Sequence, residues 1–229
     1  MKWFNKFITS SIGQKLVMSL TGLFLIMFLV VHLLGNLQLL ANDGGESFNL
    51  YAKFMTSNPL IKMLSYGLYA FILLHAVQGI LLVRKNRAAR GGERYAVQVT
   101  RAVNTNGFIA KNMGPIGIIV LIFILLHMYQ FWLQMKMGAV HMVSYNDVQV
   151  KDLYTLVAQA FANPLYVVIY VVSMIVIALH LWHGFQSAFQ TLGLNHPKYT
   201  PLIRGLGKMY SILVPLAYAL IPILMFLNK

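Results

Sequence analysis

The stretch LVMSLTGLFLIMFLVVHLLGNLQL, residues 16–39, decides the fold. It contains no Asp, Glu, Lys or Arg, and His32 is its only ionisable side chain. About 20 apolar residues cross the hydrocarbon of a bilayer as a helix, and in lipid the backbone hydrogen bonds must be satisfied within the segment. The run is too long for a signal-peptide core, and no small-residue cleavage site follows it. It therefore predicts a first membrane span.

Four more stretches have the same character: 63–83, 114–135, 164–188 and 209–227. None of them contains Asp or Glu. Of the 229 residues, 59% are hydrophobic and 10% are charged, whereas a soluble domain carries about 25% charged residues. The sequence predicts an all-α integral membrane bundle of five transmembrane helices, forming one domain over residues 1–229.

Prolines and connections refine this prediction. Pro115 and Pro164 fall near predicted helix starts, where a missing N–H is tolerated, and Pro215 and Pro222 predict a kink in the fifth helix. The connections 40–62 and 85–113 are long enough to be structured.

The net charge of +13 is not read as a nucleic-acid surface, because the basic residues stand in short clusters between apolar runs. If the five spans alternate in direction, thirteen of the 18 lysines and arginines share the side of the N-terminus: Lys2, Lys6, Lys15, Arg84, Lys85, Arg87, Arg90, Arg94, Arg101, Lys111, Lys198, Arg204 and Lys208. The positive-inside rule then predicts a cytoplasmic N-terminus and an external C-terminus. Cysteine is absent, which excludes disulfides, thiolate metal sites and iron–sulfur clusters from this chain.

Ionisable side chains inside membrane spans are costly and usually functional. The first four predicted spans each contain one central histidine: His32, His75, His127 and His180. His183 lies near the end of the fourth span, and His141 and His196 lie in connections. A single buried histidine is more often a hydrogen-bonded core residue than a ligand, but one on each of four successive helices favours a shared site.

Depth separates these four histidines into two pairs. With alternating helices, His32 and His127 fall in the outer half of the membrane, and His75 and His180 fall in the inner half. Histidine is a common axial ligand of heme iron, and helix bundles hold cofactors in their cores. The pattern predicts two hemes b, one above the other, with pairs His75/His180 and His32/His127 as axial ligands.

Small and polar residues near these histidines are candidates for secondary roles. Gly79 and Gly184 each follow an inner histidine by four residues, where they could leave room for a flat macrocycle or permit close helix packing. Lys15, Ser19 and Thr21, near the start of the first span, could bond heme propionates, quinone or neighbouring helices. His183 is the rival of His180 as a ligand, and otherwise a propionate or packing partner.

Four segments resemble the diheme cytochrome b membrane anchor of succinate dehydrogenase and fumarate reductase. They are SSIGQKLVMSLTGLFLIMFLVVHLLGNL (10–37), LLHAVQGI (73–80), GPIGIIVLIFILLHMYQFW (114–132) and LHLWHGFQSAFQTLGLNHPKY (179–199). The resemblance covers nearly the whole chain and implies a quinone-reactive subunit in a bacterial cytoplasmic membrane, with menaquinone as the expected quinone. It also implies two cytoplasmic partners, an iron–sulfur subunit and a flavoprotein subunit that carries the dicarboxylate site of this tricarboxylic acid cycle reaction. The direction, succinate oxidation or fumarate reduction, is left open.

Two alternatives are retained. The chain could be the cytochrome b of another quinone-linked dehydrogenase or hydrogenase, which co-purifying partners would distinguish. A transporter could also place histidines in mid-membrane, although it would usually carry broken helices and a polar path. The segment NHPKYTPLIRG, residues 195–205, is interpreted as an ordered, partly apolar loop that docks the iron–sulfur subunit together with part of 85–113.

Overall fold

The computed structural model describes residues 2–90, 107–138 and 140–228. In chain order its elements are α1 (Lys2–Thr9), α2 (Ser11–Asn36), a 3-10 turn (Leu37–Leu40), α3 (Glu46–Ser57), α4 (Pro59–Arg90), α5 (Gly107–His127), a π-helical segment (Met128–Leu133), α6 (Gln134–Lys136), β1 (Met142–Tyr145), β2 (Val148–Lys151), α7 (Leu153–Phe161), α8 (Pro164–Thr191) and α9 (Thr200–Leu227). Five helical stretches are long and apolar enough to cross a membrane: Ser11–Leu40, Pro59–Ala89, Gly107–Lys136, Pro164–Thr191 and Thr200–Leu227. The predicted all-α bundle of five spans is therefore confirmed.

Side-chain contacts show that successive spans run in opposite directions. Lys85, late in α4, donates from Nζ to Gln14 Oε1 near the start of α2, at 2.8 Å. Tyr170, early in α8, donates its hydroxyl to Gln130 Oε1 at the end of the third span, at 2.6 Å. We call the end where α2 begins the basic end, because Lys6, Lys15, Arg84, Lys85, Lys111, Arg204 and Lys208 lie there. The opposite end is the capped end, because the 3-10 turn, α3, the β1–β2 hairpin and α7 cover it.

The outward faces of the spans are apolar. Met27, Met63, Leu73, Ile122 and Ile175 each expose 60–70% of their surface. Contiguous apolar surface of this extent is normally covered by a partner or by lipid. With the helix lengths, it identifies the outer face of the bundle as the surface that meets the hydrocarbon.

The helices extend beyond several predicted limits, mainly at the basic end. α9 begins at Thr200 rather than at 209, so residues 200–205 of the predicted loop 195–205 are helical and that part of the prediction is wrong. α5 begins at Gly107, so Pro115 lies inside the helix and not near its start. The hydropathy of these segments is lowered by polar and basic residues that extend past the hydrocarbon, and hydropathy alone ends the span too early. Residues 91–106 of the connection 85–113 lie outside the described part of the chain.

Other local predictions hold. Pro164 stands in the first turn of α8, where Asn163 caps the helix by accepting from the Leu165 N–H at 2.9 Å. The connection 40–62 is structured, since it contains α3. Pro215 and Pro222 are buried within α9, which continues as helix through both, and the kink expected at these prolines stays a prediction.

Two tyrosines of α9 bond the backbone of α2 inside the membrane region. Tyr210 donates to the Ile26 carbonyl at 2.6 Å, and Tyr218 donates to the Leu29 carbonyl at 2.7 Å. These contacts also show that α9 runs parallel to α2. Hydrogen bonds between spans stabilise membrane bundles by about 0.6 kcal/mol each on average.

The capped end is organised around Asn49, which is 1% exposed. Its Nδ2 donates to Tyr145 Oη and to Asp152 Oδ1, both at 3.1 Å. Its Oδ1 accepts from the Tyr154 N–H at 2.9 Å. One side chain on α3 thereby fixes the hairpin and the start of α7.

Asp152 also caps α7, accepting from the Thr155 N–H at 3.1 Å. Burial raises the pKa of Asp152, but hydrogen bonds from Thr155 and Asn49 outweigh this effect and hold its pKa below the usual value. Because the pKa is lowered in the folded chain, the carboxylate stabilises the capped end above the unfolded pKa. That contribution is lost as the pH falls through the lowered value.

We expect Asn49→Ala to destabilise the capped end by about 1–3 kcal/mol, because it leaves buried polar groups without a partner. The measurement is hydrogen exchange at the Tyr154 amide, which should become faster. Gln149→Ala, an exposed change on β2, is the matched control and should leave this rate unchanged. Equal exchange in the two variants would contradict the role of Asn49.

Candidate functional site

Four histidines from four different spans meet as two ring pairs. The ring centres of His32 and His127 are 5.8 Å apart, and their planes lie at 83°. The ring centres of His75 and His180 are 6.2 Å apart, with planes at 71°. We call the first the cap-side pair and the second the basic-side pair. These are the pairs that helix direction and depth predicted from the sequence; their role as ligands stays a prediction.

The ring separations match two histidines that share one metal ion. A histidine nitrogen lies about 2.0 Å from a bound ion and about 1.1 Å from its own ring centre, so rings on opposite sides of one ion have centres about 6.2 Å apart. The observed values of 5.8 and 6.2 Å are close to this distance. Two histidines supply two ligands, which suits a cofactor that brings its own equatorial ligands, as heme does.

The two pairs lie at different depths in the bundle. On α2, Thr21 contacts His75 of the basic-side pair, and His32 of the cap-side pair follows eleven residues later. On α8, Tyr170 contacts the cap-side pair, and His180 of the basic-side pair follows ten residues later. At 1.5 Å per residue, both helices give a separation of about 15–17 Å between the two levels.

Polar partners differ among the four rings. The Nδ1 of His75 is 3.2 Å from Thr21 Oγ1, and the Nδ1 of His127 is 3.4 Å from Tyr170 Oη. The Nδ1 of His180 is buried, and no hydrogen-bond partner for it exists among the described residues. A buried polar atom without a partner requires an explanation, and a site for a bound ion or cofactor is one.

Aromatic rings surround the cap-side pair. Within 5.2–6.1 Å of the ring centres of His32 or His127 lie those of Phe28, Phe123, Phe131, Tyr170 and Tyr218. These side chains line this level of the bundle with aromatic surface. A π-helical segment begins directly after His127, and such segments occur often at functional sites. Its wider turn contains Gln130, the acceptor of the Tyr170 hydroxyl.

Two glycines on neighbouring helices face the basic-side pair. A Cβ built on Gly22 would lie 3.2 Å from His75 Cε1, and one on Gly117 would lie 3.8 Å from His180 Cε1. The first distance is tighter than ordinary van der Waals contact, so Gly22 is what lets the His75 ring approach α2. Neither glycine was singled out from the sequence, because each stands on a different helix from the histidine that it faces.

The glycines that the sequence did single out behave differently from each other. A Cβ on Gly79 would lie 3.3 Å from Met18 Cε, which is the close helix packing of the second interpretation. No described atom lies within 4 Å of a Cβ built on Gly184, so space remains beside it, as a macrocycle would need. Its role toward a cofactor stays a prediction.

The other secondary candidates lie near the basic-side pair along the chain. Ser19 is buried and donates to the Lys15 carbonyl at 2.9 Å, a bond within its own helix. The Lys15 side chain is exposed, and His183 is half-buried on α8. The His180 ring, not that of His183, is the one that faces His75.

Sequence reasoning missed Tyr170 and Gln130 as parts of the site. A tyrosine in mid-membrane needs a hydrogen-bond partner, and this could have marked Tyr170 as a candidate. Its partner could not be foreseen, since the π-helical segment sets the direction of Gln130.

No family model, no curated protein and no solved structure matches the chain. The resemblance of its histidine-bearing segments to diheme cytochrome b anchors therefore stays a prediction. The case for a function comes from the two histidine pairs and their surroundings.

We expect Gly22→Ala and Gly117→Ala to differ in stability. A glycine inside a helix costs about 0.5–1 kcal/mol relative to alanine, so Gly117→Ala, with an ordinary contact, should raise the melting temperature. Gly22→Ala places its methyl group against the His75 ring and should gain less or lose stability. Thermal unfolding of both variants in the same detergent measures the difference, and a Gly22→Ala chain at least as stable as Gly117→Ala would disprove the close approach.

Proposed function

We propose that this chain is the membrane anchor and electron-transfer subunit of a succinate:quinone oxidoreductase, holding two hemes b. The main support for this proposal is that two histidine pairs lie at two levels of one membrane-spanning bundle. In each pair, the distance between ring centres is close to that of two histidines bound to one metal ion. A hydrocarbon core is about 30 Å thick. Two hemes at levels about 15 Å apart would divide electron transfer across that thickness into shorter steps.

The residues of the chain would perform distinct tasks. His75 and His180 would hold one heme, and His32 and His127 the other. Heme b, when bound, supplies a reversible one-electron carrier at each level. The aromatic rings around the cap-side pair line that level, while Thr21 and Tyr170 hold histidines from neighbouring helices.

The charge distribution supports an orientation and a partner. The lysines and arginines at the basic end favour a cytoplasmic location for that end. The iron–sulfur subunit, with its flavoprotein partner, would then dock at the basic end, next to the basic-side pair. Electrons would pass between that subunit and a membrane quinone, proposed to be menaquinone, in a bacterial cytoplasmic membrane.

We predict two hemes b per chain, measured by the pyridine hemochrome of the purified protein. His75→Ala or His180→Ala should remove one heme, and His32→Ala or His127→Ala the other, because each substitution deletes one of the two axial ligands at a level.

His141→Ala and His196→Ala, which change exposed histidines outside the spans, are the matched controls and should retain both hemes. His183→Ala should also retain both. A wild-type chain with one heme or none would refute the proposal.

The docking surface is tested by amine labelling with and without the cytoplasmic subunits. Lys198 and Lys208 at the basic end should be protected in the complex, because Lys198 lies in the proposed docking segment 195–205 and Lys208 follows it by three residues. Lys53 and Lys136, exposed at the other end of the bundle, are the controls. Equal labelling of the first two lysines in both states would rule out this docking surface and leave the heme assignment standing.

A further inference from the structure

Thr21 has its own hydroxyl proton committed to the backbone. The side chain is buried, and its Oγ1 lies 2.7 Å from the Val17 carbonyl oxygen and 3.1 Å from that of Met18. A carbonyl oxygen can only accept, and a threonine hydroxyl has a single proton to donate. The shorter contact takes this proton, so the Oγ1 lone pair facing His75 Nδ1 at 3.2 Å can only accept. The proton between these two atoms therefore belongs to the Nδ1 of His75.

Tyr170 repeats this arrangement at the other level with different groups. Its hydroxyl donates to Gln130 Oε1 at 2.6 Å, a short bond that commits its proton. The same oxygen lies 3.4 Å from the Nδ1 of His127 and has only a lone pair left to offer. The longer distance makes this the weaker of the two contacts, but its direction is the same.

We propose that Thr21 is a positioning residue that fixes the tautomer of His75, and that Tyr170, hydrogen-bonded to Gln130, does the same for His127. With the proton on Nδ1, the lone pair of each ring lies on Nε2, the nitrogen left free to bind a metal ion. The hydrogen bond of one ring nitrogen sets which nitrogen is metallated, and such partners orient ligand rings and raise their basicity. The tautomer assignment stands on the hydrogen bonds alone; only its purpose, the binding of heme iron, rests on the proposed function.

In the basic-side pair, the arrangement orients one ligand and leaves the other less constrained. The His75 ring bonds Thr21 and also the Met18 backbone, one turn before Thr21 on the same helix, while the Nδ1 of His180 is without a partner among the described residues. Thr21 and Tyr170 each stand on a different span from the histidine that they contact, α2 for α4 and α8 for α5. The same hydrogen bonds therefore align neighbouring helices and orient the rings.

The test is nitrogen NMR of the full chain in lipid, with 15N-labelled histidine and without heme. Resonances of His75 and His127 are assigned by their loss in His75→Ala and His127→Ala. We expect both rings to carry the proton on Nδ1 in the wild type. Thr21→Val, which removes the hydroxyl at nearly constant volume, should move the His75 proton to Nε2, and Thr21→Ser should retain it on Nδ1. A wild-type His75 protonated on Nε2, or a Thr21→Val spectrum unchanged at His75, would overturn the proposal.

Two further variants test the tautomer of His127 at the cap-side level. Tyr170→Phe removes the oxygen that accepts from Nδ1–H, so the His127 ring should no longer carry its proton on Nδ1 alone. Gln130→Leu should have the same effect by another route, since the released tyrosine proton can turn to donate to Nδ1. A His127 ring that keeps its Nδ1 proton in both variants would overturn the assignment at this level.

The heme-loaded protein gives a second readout. An acceptor on Nδ1–H makes the ligand more basic and stabilises ferric iron, so Thr21→Val should raise the midpoint potential of one heme while Thr21→Ser leaves it near the wild-type value. A potential unchanged in Thr21→Val would contradict the positioning role. Absence of heme from the wild type would instead defeat the proposed function, and the tautomers found without heme would be unaffected.

Discussion

The structure depends on one constraint: hydrocarbon offers no hydrogen bonds. Every backbone group in a span must bond within the helix, and every polar side chain must find a partner inside the bundle or bear the cost. Ser19 and Ser173 donate to carbonyls four residues earlier. Thr21 does the same and still has a lone pair for a histidine on the next helix. The requirement to satisfy polar atoms thus becomes the means by which a site is assembled from separate spans.

The five helices and the two histidine pairs could be predicted because both follow from long-range regularities. Apolar runs of sufficient length specify spans, and alternation of direction specifies depth, which is enough to match His32 with His127 and His75 with His180. Helix ends were predicted less well. The first residues of α9 are polar and basic, so hydropathy cannot separate a helix that leaves the membrane from a loop.

The capped end and the partners of the histidines could not be predicted, for two reasons. Asn49 bonds residues about a hundred positions away in sequence, with separations of 96, 103 and 105, and no local pattern records such contacts. Gln130 takes its direction from a π-helical segment that hydropathy does not reveal. The β1–β2 hairpin was not predicted either, although Asn146 and Asp147, at φ 46° and 65°, are residue types that favour such turns.

The two tyrosine bonds from α9 to α2 bear on how the molecule is assembled. They join residues 184 and 189 positions apart, so they can form only after the intervening three spans have been synthesised and inserted. Until then α2 lacks the contacts that hold its backbone at Ile26 and Leu29, one to two turns before His32. Of the five spans, α2 therefore has part of its backbone contacts completed only when α9 joins it, and the contact of Tyr218 with His32 at the cap-side level forms at the same stage.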